Sequence, residues 1–191
     1  MTGASMAHFD FKIVVAGPFA AGKTTLIRAA SDSPLVGTEA PTSGDEASVK
    51  ATTTVGMEYG TLRVGGGNLT AELRLFGVPG QERFSFMWDI VASGMDGFFV
   101  LVDAQRPETW PESAKVAETF ARLATVPTVV GINHRGDAIE PELLERITAS
   151  VPVAHGRYVP FNVTKETDAR DALVELLLEI LEFDNHQGVA A

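Results

Sequence analysis

The stretch from Gly17 to Thr24 has the residue types and spacing needed to hold a chain of phosphate groups. It follows the pattern of a glycine, four residues, a second glycine, a lysine and a hydroxyl residue. Glycines let the backbone approach an anion closely, and N–H groups at a helix N-terminus attract negative charge. We expect Lys23 to contact the terminal phosphates and the Thr24 hydroxyl to ligate Mg²⁺. The sequence therefore predicts a nucleoside triphosphate site, with the phosphate-binding residues Gly17, Pro18, Phe19, Ala20, Ala21, Gly22, Lys23, Thr24 and Thr25.

The segments around this loop predict a parallel sheet covered by helices. An apolar run rich in β-branched residues, 11–16, precedes the loop, and helix-forming residues 23–30 follow it. Residues 57–64 and 69–76 flank a glycine turn and predict a hairpin. Strand and helix patterns alternate after it. We therefore predict an α/β, three-layer P-loop NTPase fold, with six mostly parallel strands, one antiparallel edge strand and helices on both faces.

Hydrophobic periodicity predicts the remaining elements. Residues 32–56 lack periodicity and predict a long loop without regular structure. The other segments are a short helix over 82–92, strands over 97–103, 128–133 and 157–163, and helices over 108–124, 140–149 and 168–183. The side chains expected to be buried on the two longest of these helices are Val116, Ala117, Phe120, Leu123, Leu173, Leu176, Leu177, Ile180 and Leu181. We predict one domain over 11–183, a flexible arm over 1–10 and a disordered tail over 184–191.

The composition argues against several classes of protein. A chain of 191 residues suits one domain, and its net charge of −10 disfavours nucleic acid as a partner. The chain has no cysteine, which excludes disulfides, thiolate chemistry and prenyl anchors. It also lacks an apolar run of membrane-spanning length and a signal-peptide core. We therefore expect a cytoplasmic protein without a direct membrane anchor, which a partner would have to recruit to a membrane.

Three segments together resemble the small GTPases of the Ras superfamily. They are the phosphate loop, Thr53-Thr54-Val55-Gly56-Met57 and Leu75-Phe76-Gly77-Val78-Pro79-Gly80-Gln81-Glu82-Arg83-Phe84. The similarity extends over residues 11–183 and is greatest to the prokaryotic group that includes the conservon and Mgl-type GTPases. It implies a molecular switch that binds GTP or GDP with Mg²⁺ and hydrolyses GTP. It also implies a regulatory partner of the roadblock (LC7) type.

The resemblance assigns roles in two switch segments. Thr54 would contact Mg²⁺ and the γ-phosphate, the Gly80 N–H would contact the same phosphate, and Gln81 would join Lys23 as a catalytic residue by orienting the attacking water. Gly77 occupies the place where the superfamily usually has an aspartate that supports the metal. One candidate to replace that aspartate is Asp103, at the end of the next strand.

The residues that would surround the base match the superfamily only in part. Asn133 matches its Asn-Lys-x-Asp motif, His134 replaces the lysine, and Asp137 comes one residue late. A carboxylate suits guanine because the base offers two donors, N1–H and the 2-amino group. Asp137 would fill that role if the loop carries a one-residue bulge. The last segment that would contact the base is Asn162-Val163-Thr164, which corresponds by position alone.

The sequence leaves the rate and class of reaction open. The chain has no arginine between Arg28 and Arg63, so the first switch lacks an arginine finger, and unaided hydrolysis should be slow unless Arg83 supplies one. A P-loop ATPase or small-molecule kinase, and a pseudo-GTPase that binds nucleotide without turnover, are alternatives. A set of aromatic side chains beside the second switch either anchors its helix or forms a partner surface: Phe84, Phe86 and Trp88.

Overall fold

The computed structural model describes residues 7–37, 39–41, 52–54, 56–66, 68–79, 82–154 and 156–188. Its strands are β1 (Ala7–Ala16), β2 (Glu39–Pro41), β3 (Thr52–Thr54), β4 (Glu58–Gly66), β5 (Leu69–Gly77), β6 (Gly97–Asp103), β7 (Thr128–Asn133) and β8 (Gly156–Phe161). Its α-helices are α1 (Lys23–Ala30), α2 (Trp88–Ala92), α3 (Trp110–Leu123), α4 (Pro141–Ser150) and α5 (Glu166–Gly188). Short 3₁₀ helices precede α2 and α3, at Glu82–Met87 and Pro107–Thr109.

Six strands form one sheet in the order β4-β5-β1-β6-β7-β8. Neighbouring strands run parallel except for β4, which pairs antiparallel with β5 at one edge. The predicted α/β architecture, with six mostly parallel strands and one antiparallel edge strand, is confirmed. Strands β2 and β3 form a separate antiparallel pair.

The alternation of side chains along β1 explains why helices cover both faces of the sheet. Ile13 and Val15 belong to the apolar cluster that includes α1 and α5. Val14 and Ala16 belong to the second cluster, with α2, α3 and α4. Because successive strand residues point to opposite faces, a central strand covered on both sides must be apolar throughout.

The position of β1 determines where a ligand can bind. Its neighbours are β5 on one side and β6 on the other, so the chain crosses to opposite halves of the sheet after this strand. Open parallel sheets bind ligands at such a point, outside the carboxyl ends of the strands. The predicted phosphate loop follows β1 directly and therefore lies at this crevice.

Two predicted boundaries were wrong. Strand β1 begins at Ala7, which pairs with Leu69, so residues 7–10 of the predicted arm belong to the sheet. The strand extends this far because the nine-residue β5 offers it a partner along nearly its whole length. Helix α5 continues to Gly188, so most of the predicted tail is helical. Residues 1–6 and 189–191 lie outside the described residues.

The predicted structureless segment also contains ordered pairing. Val36 and Tyr59 exchange two backbone hydrogen bonds of 3.0 and 2.7 Å, which attaches this part of the chain to β4. Farther along, Glu39 of β2 pairs with Thr54 of β3. The polar composition of residues 32–56 hid these pairs, because strands of three residues are too short to show hydrophobic periodicity.

Helix α5 carries most of the predicted apolar stripe. Leu173, Leu176, Leu177 and Ile180 are buried, whereas Leu181 is exposed. Leu123 at the end of α3 is likewise exposed, because each residue lies near the edge of its helix's buried face. Within the described ranges, no helix combines the length and the apolar character needed to cross a bilayer.

The carboxyl end of α1 is tied to the sheet by a compact set of polar contacts. The Ser31 hydroxyl accepts a hydrogen bond from the Thr61 N–H at 3.0 Å, and Asp32 accepts one from the Arg63 N–H at 2.7 Å. The Arg170 guanidinium donates to the other Asp32 oxygen at 2.7 Å. These donors, Arg170 foremost and then the Arg63 N–H, hold the pKa of the Asp32 carboxyl below its usual range.

We expect Asp32→Asn to lower the free energy of unfolding by about 0.5–1 kcal/mol near pH 7, because the partly exposed ion pair with Arg170 is lost. A carboxyl whose pKa is depressed in the folded state stabilises the protein above its unfolded pKa. That stabilisation is lost as the pH falls through the folded pKa. In urea titrations the difference from the unsubstituted protein should therefore shrink towards about pH 3. The exposed Asp171→Asn serves as the control, and an equal difference at both pH values would contradict the assignment.

Candidate functional site

The loop between β1 and α1 has the backbone of a phosphate cradle. Gly17 and Gly22 have φ angles of +144° and +111°, and Ala20 between them has a φ of +59°. A Cβ at position 17 would lie 2.9 Å from the Leu101 carbonyl oxygen, so only glycine fits against β6 there. Helix α1 then begins at Lys23, which turns its first N–H groups toward the loop.

Lys23 lies over this loop and is almost completely buried. Its ammonium donates to the carbonyl oxygens of Gly17 and Pro18, at 2.8 and 2.6 Å. A buried cation needs such acceptors because leaving water is costly. The same charge lies beside the N–H groups at the start of α1, where it can add to the attraction for a phosphate group.

The carboxylate of Glu58 lies beside Thr24. It comes from a different strand position than the aspartate of the superfamily that this chain resembles, whose place is held here by Gly77. The Thr24 hydroxyl donates a short hydrogen bond to Glu58, which is only 3% exposed. Glu58 pairs with Gly77 across the β4–β5 ladder. A Cβ on Gly77 would lie 3.0 Å from a Glu58 carboxylate oxygen and 2.6 Å from the Ile27 methyl carbon Cδ1. The Glu58 side chain therefore occupies space that an aspartate at position 77 would need.

Sequence reasoning missed Glu58, although one signal was available. Along β4 the inward positions are Glu58, Gly60 and Leu62, so the glutamate shares the buried face of the hairpin. A glutamate at a core-facing position of a strand is unusual unless its charge is paired. Alternate residues of a strand face the same side, so stepping back from Leu62 through Gly60 in the predicted hairpin leads to Glu58.

Asp103, one candidate to replace the missing aspartate, has its polar contacts in the loops that follow β6 and β7, and its role at a metal stays a prediction. Asp103 is 1% exposed, and one of its oxygens forms a short ion pair with the Arg135 guanidinium. Its other oxygen accepts a hydrogen bond from the Gln105 N–H at 3.1 Å. The Asp103 carboxylate therefore contacts the loops that follow β6 and β7. The carboxylate beside Thr24 is that of Glu58.

Asn133 joins three loops at the carboxyl end of the sheet. Its side-chain amide nitrogen lies 3.5 Å from the Ala21 carbonyl oxygen in the phosphate loop. Its oxygen accepts from the N–H groups of Arg135 and Val163, at 3.2 and 3.4 Å. Asn133 is 2% exposed, so its polar atoms depend on these partners. The asparagine therefore sets the distance between the phosphate loop and the predicted base site.

The segment that follows β8 lies beside the phosphate loop and Asn133. A Cβ at Gly22 would lie 3.3 Å from a Val163 methyl group, which brings this segment against the phosphate loop. The Asn162 side-chain oxygen accepts from both the N–H and the hydroxyl of Thr164, at 3.0 and 2.8 Å. The structure thus brings Asn162, Val163 and Thr164 together with the predicted phosphate-binding residues.

His134 and Asp137 flank a tight turn after β7. The His134 ring nitrogen Nδ1 accepts from the Gly136 N–H at 3.1 Å, and the His134 carbonyl accepts from the Asp137 N–H at 3.0 Å. The Asp137 carboxylate is exposed and receives a short hydrogen bond from the Gln105 amide. Contact of His134 or Asp137 with a base stays a prediction.

Several predicted switch residues cannot be placed at the site. Gly80 and Gln81 lie outside the described residues, and Thr54 is described only as part of β3. Their predicted contacts with Mg²⁺ and phosphate stay predictions. Of the nearby aromatic residues, Trp88 is buried and Phe86 is 70% exposed.

Comparisons with known proteins support the nucleotide site. A family model described as "Conserved hypothetical ATP binding protein" matches residues 35–149, which is more than half of the chain. Intraflagellar transport protein 22 of Chlamydomonas reinhardtii is 30% identical over 122 residues, which make up 64% of this chain. The match spans 57% of that relative's length.

The matched family region begins after α1 and includes most of the sheet. The phosphate loop lies outside that region and adds its own evidence, because its glycines, lysine and threonine occupy the carboxyl end of β1. The chain therefore belongs to the family of conserved hypothetical ATP binding proteins and is a P-loop nucleotide-binding protein.

Proposed function

We propose that this protein is a Ras-like GTPase that binds GTP and GDP with Mg²⁺ and acts as a molecular switch. The observation that carries the proposal is the partly buried contact between Thr24 and the buried Glu58 carboxylate beside the phosphate loop. It joins a hydroxyl and a carboxylate oxygen, the donor type that Mg²⁺ prefers, directly beside the place for a triphosphate.

Different groups of the chain would bind the phosphates and the metal. The N–H groups of the loop and of the start of α1 would hold the phosphate oxygens, and the Lys23 ammonium would turn from its carbonyl acceptors to the terminal phosphates. The Thr24 hydroxyl would ligate the metal, and Glu58 would orient that hydroxyl or a metal-bound water. When bound, Mg²⁺ neutralises charge on the β- and γ-phosphates.

The family description names ATP, which makes ATP the second candidate ligand. We favour GTP because Asp137, an exposed carboxylate, follows β7 at the edge of the site where Asn133 meets the phosphate loop. A carboxylate accepts from guanine N1–H and the 2-amino group together. Adenine presents an acceptor at N1, so the same carboxylate would repel it.

The switching role rests on the resemblance of Thr54, Gly80 and Gln81 to superfamily residues that contact the γ-phosphate. Loss of that phosphate would release both segments. The exposed side chains of Phe86 and Ile90 lie one helical turn apart next to the second segment, so they would offer a partner a surface that depends on the bound nucleotide. We propose a roadblock (LC7)-type protein as that partner, in the cytoplasm.

Binding of nucleotides tests the base and the phosphate loop together. We expect GDP and GTP with Mg²⁺ to bind more tightly than ADP and ATP in isothermal titration calorimetry, because of the carboxylate at the base edge. Lys23→Ala should weaken GDP binding by about 10- to 100-fold, since a charged hydrogen bond to phosphate is removed. Lys115→Ala, which removes an exposed lysine on α3, is the matched control. Tighter binding of ATP than of GTP would instead support the second candidate.

Glu58→Gln tests the metal role, because it keeps the size of the side chain and removes its charge. We expect the Mg²⁺ concentration that retains GDP on the protein to rise about 10-fold or more. Glu72→Gln in the same hairpin is the control, since Glu72 pairs with Arg63 on the exposed face. An unchanged Mg²⁺ requirement, measured by GDP release during magnesium titration, would exclude this role for Glu58.

Hydrolysis tests the dependence on a partner. The only cation between Arg28 and Arg63 in the sequence is Lys50, so we expect single-turnover GTP hydrolysis by the protein alone to be slower than about 1 s⁻¹. A roadblock-type protein should form a complex with the GTP-bound form, and Phe86→Ser should weaken that complex. A fast rate without a partner, or a complex indifferent to the nucleotide, would refute this part of the proposal. No turnover under any condition would favour a pseudo-GTPase.

A further inference from the structure

The turn after β7 is held in a strained shape. Arg135 has a φ of +54°, a left-handed conformation that residues with side chains rarely adopt, and Gly136 follows with a φ of +102°. Strain of this kind persists only where surrounding contacts enforce it. The contacts that hold this turn therefore indicate which side chain the turn positions.

The enforcing contacts begin at Asp103 beneath the turn. Its buried carboxylate forms the ion pair with Arg135 and also accepts from the Gln105 N–H at 3.1 Å. One side chain at the end of β6 thus fixes two loops at once. Because an uncompensated buried carboxylate is costly, the two loops are held together by the need to keep this charge paired.

The same two loops meet again at the surface. The Gln105 side-chain amide donates a short hydrogen bond to one oxygen of Asp137. Both residues are exposed, so packing does not restrict the carboxylate. The amide therefore limits the orientation of a side chain that would otherwise rotate freely, and the second oxygen keeps its lone pairs for another donor.

We propose that Gln105 is a positioning residue that sets the base specificity of the site by orienting Asp137. This inference rests on the proposed function, because it assigns Asp137 to guanine N1–H and the 2-amino group. Gly136 occupies the position at which the superfamily has its aspartate, so the turn at Arg135 and Gly136 determines where the carboxylate one residue later lies. The ion pair of Asp103 with Arg135 maintains the turn, and the hydrogen bond from Gln105 orients the Asp137 carboxylate.

The test compares nucleotides that differ in the donors of the base. Calorimetry with GDP, with inosine diphosphate (which lacks the 2-amino group) and with ADP measures how strongly the carboxylate recognises the base. The unsubstituted protein should bind GDP about tenfold more tightly than inosine diphosphate. Gln105→Ala should reduce that ratio towards one while leaving the affinity for ADP, which lacks both donors, within about twofold. Gln105→Glu, which places a second carboxylate beside Asp137, should also reduce the ratio.

The control is Glu108→Gln, which changes a charge in the same loop at a side chain paired with Arg106. It should leave both affinities unchanged. If Gln105→Ala and Gln105→Glu keep the full preference for GDP, Gln105 does not position Asp137 and this inference is wrong, whereas the proposed function stands. If the unsubstituted protein binds no guanine nucleotide, the proposed function and this inference both fall.

Discussion

The site depends on keeping charges paired after they leave water. Among the described residues, the buried ionisable side chains Lys23, Glu58 and Asp103 lie at the edge of the sheet where the parallel strands end. Each would destabilise the fold if it lacked a partner, and each has one on a different loop or strand. The need to satisfy these charges therefore fixes where the surrounding loops lie relative to the sheet.

The position of β1 brings those charges to one crevice. With β5 and β6 as its neighbours, this strand directs the phosphate loop into the gap between the two halves of the sheet. The Thr24–Glu58 contact lies toward the β4–β5 side, and Asn133 joins the loop to the β7–β8 side. The metal side and the base side of the site are consequently built from different halves of one sheet.

How much the sequence predicted depended on the distance over which each interaction acts. The phosphate loop, the hairpin and the alternating elements follow from local spacing, so their prediction succeeded. The role of Glu58 depends on strand register, which places it opposite Gly77. The ion pair of Asp103 with a residue more than thirty positions away depends on the tertiary fold. Sequence patterns do not determine such pairings, so the partner of Asp103 could not be predicted.

Glu58 and Gly77 are paired across the β4–β5 ladder, so a substitution at one position affects the other. An aspartate at position 77 would bring a second carboxylate against that of Glu58, and its Cβ would lie 2.6 Å from the Ile27 Cδ1 atom, which would have to move. Shortening Glu58 alone would remove the acceptor of the Thr24 hydroxyl. The side chain at either position therefore limits what the other can hold, so the effects of substitutions at positions 58 and 77 on stability should be non-additive.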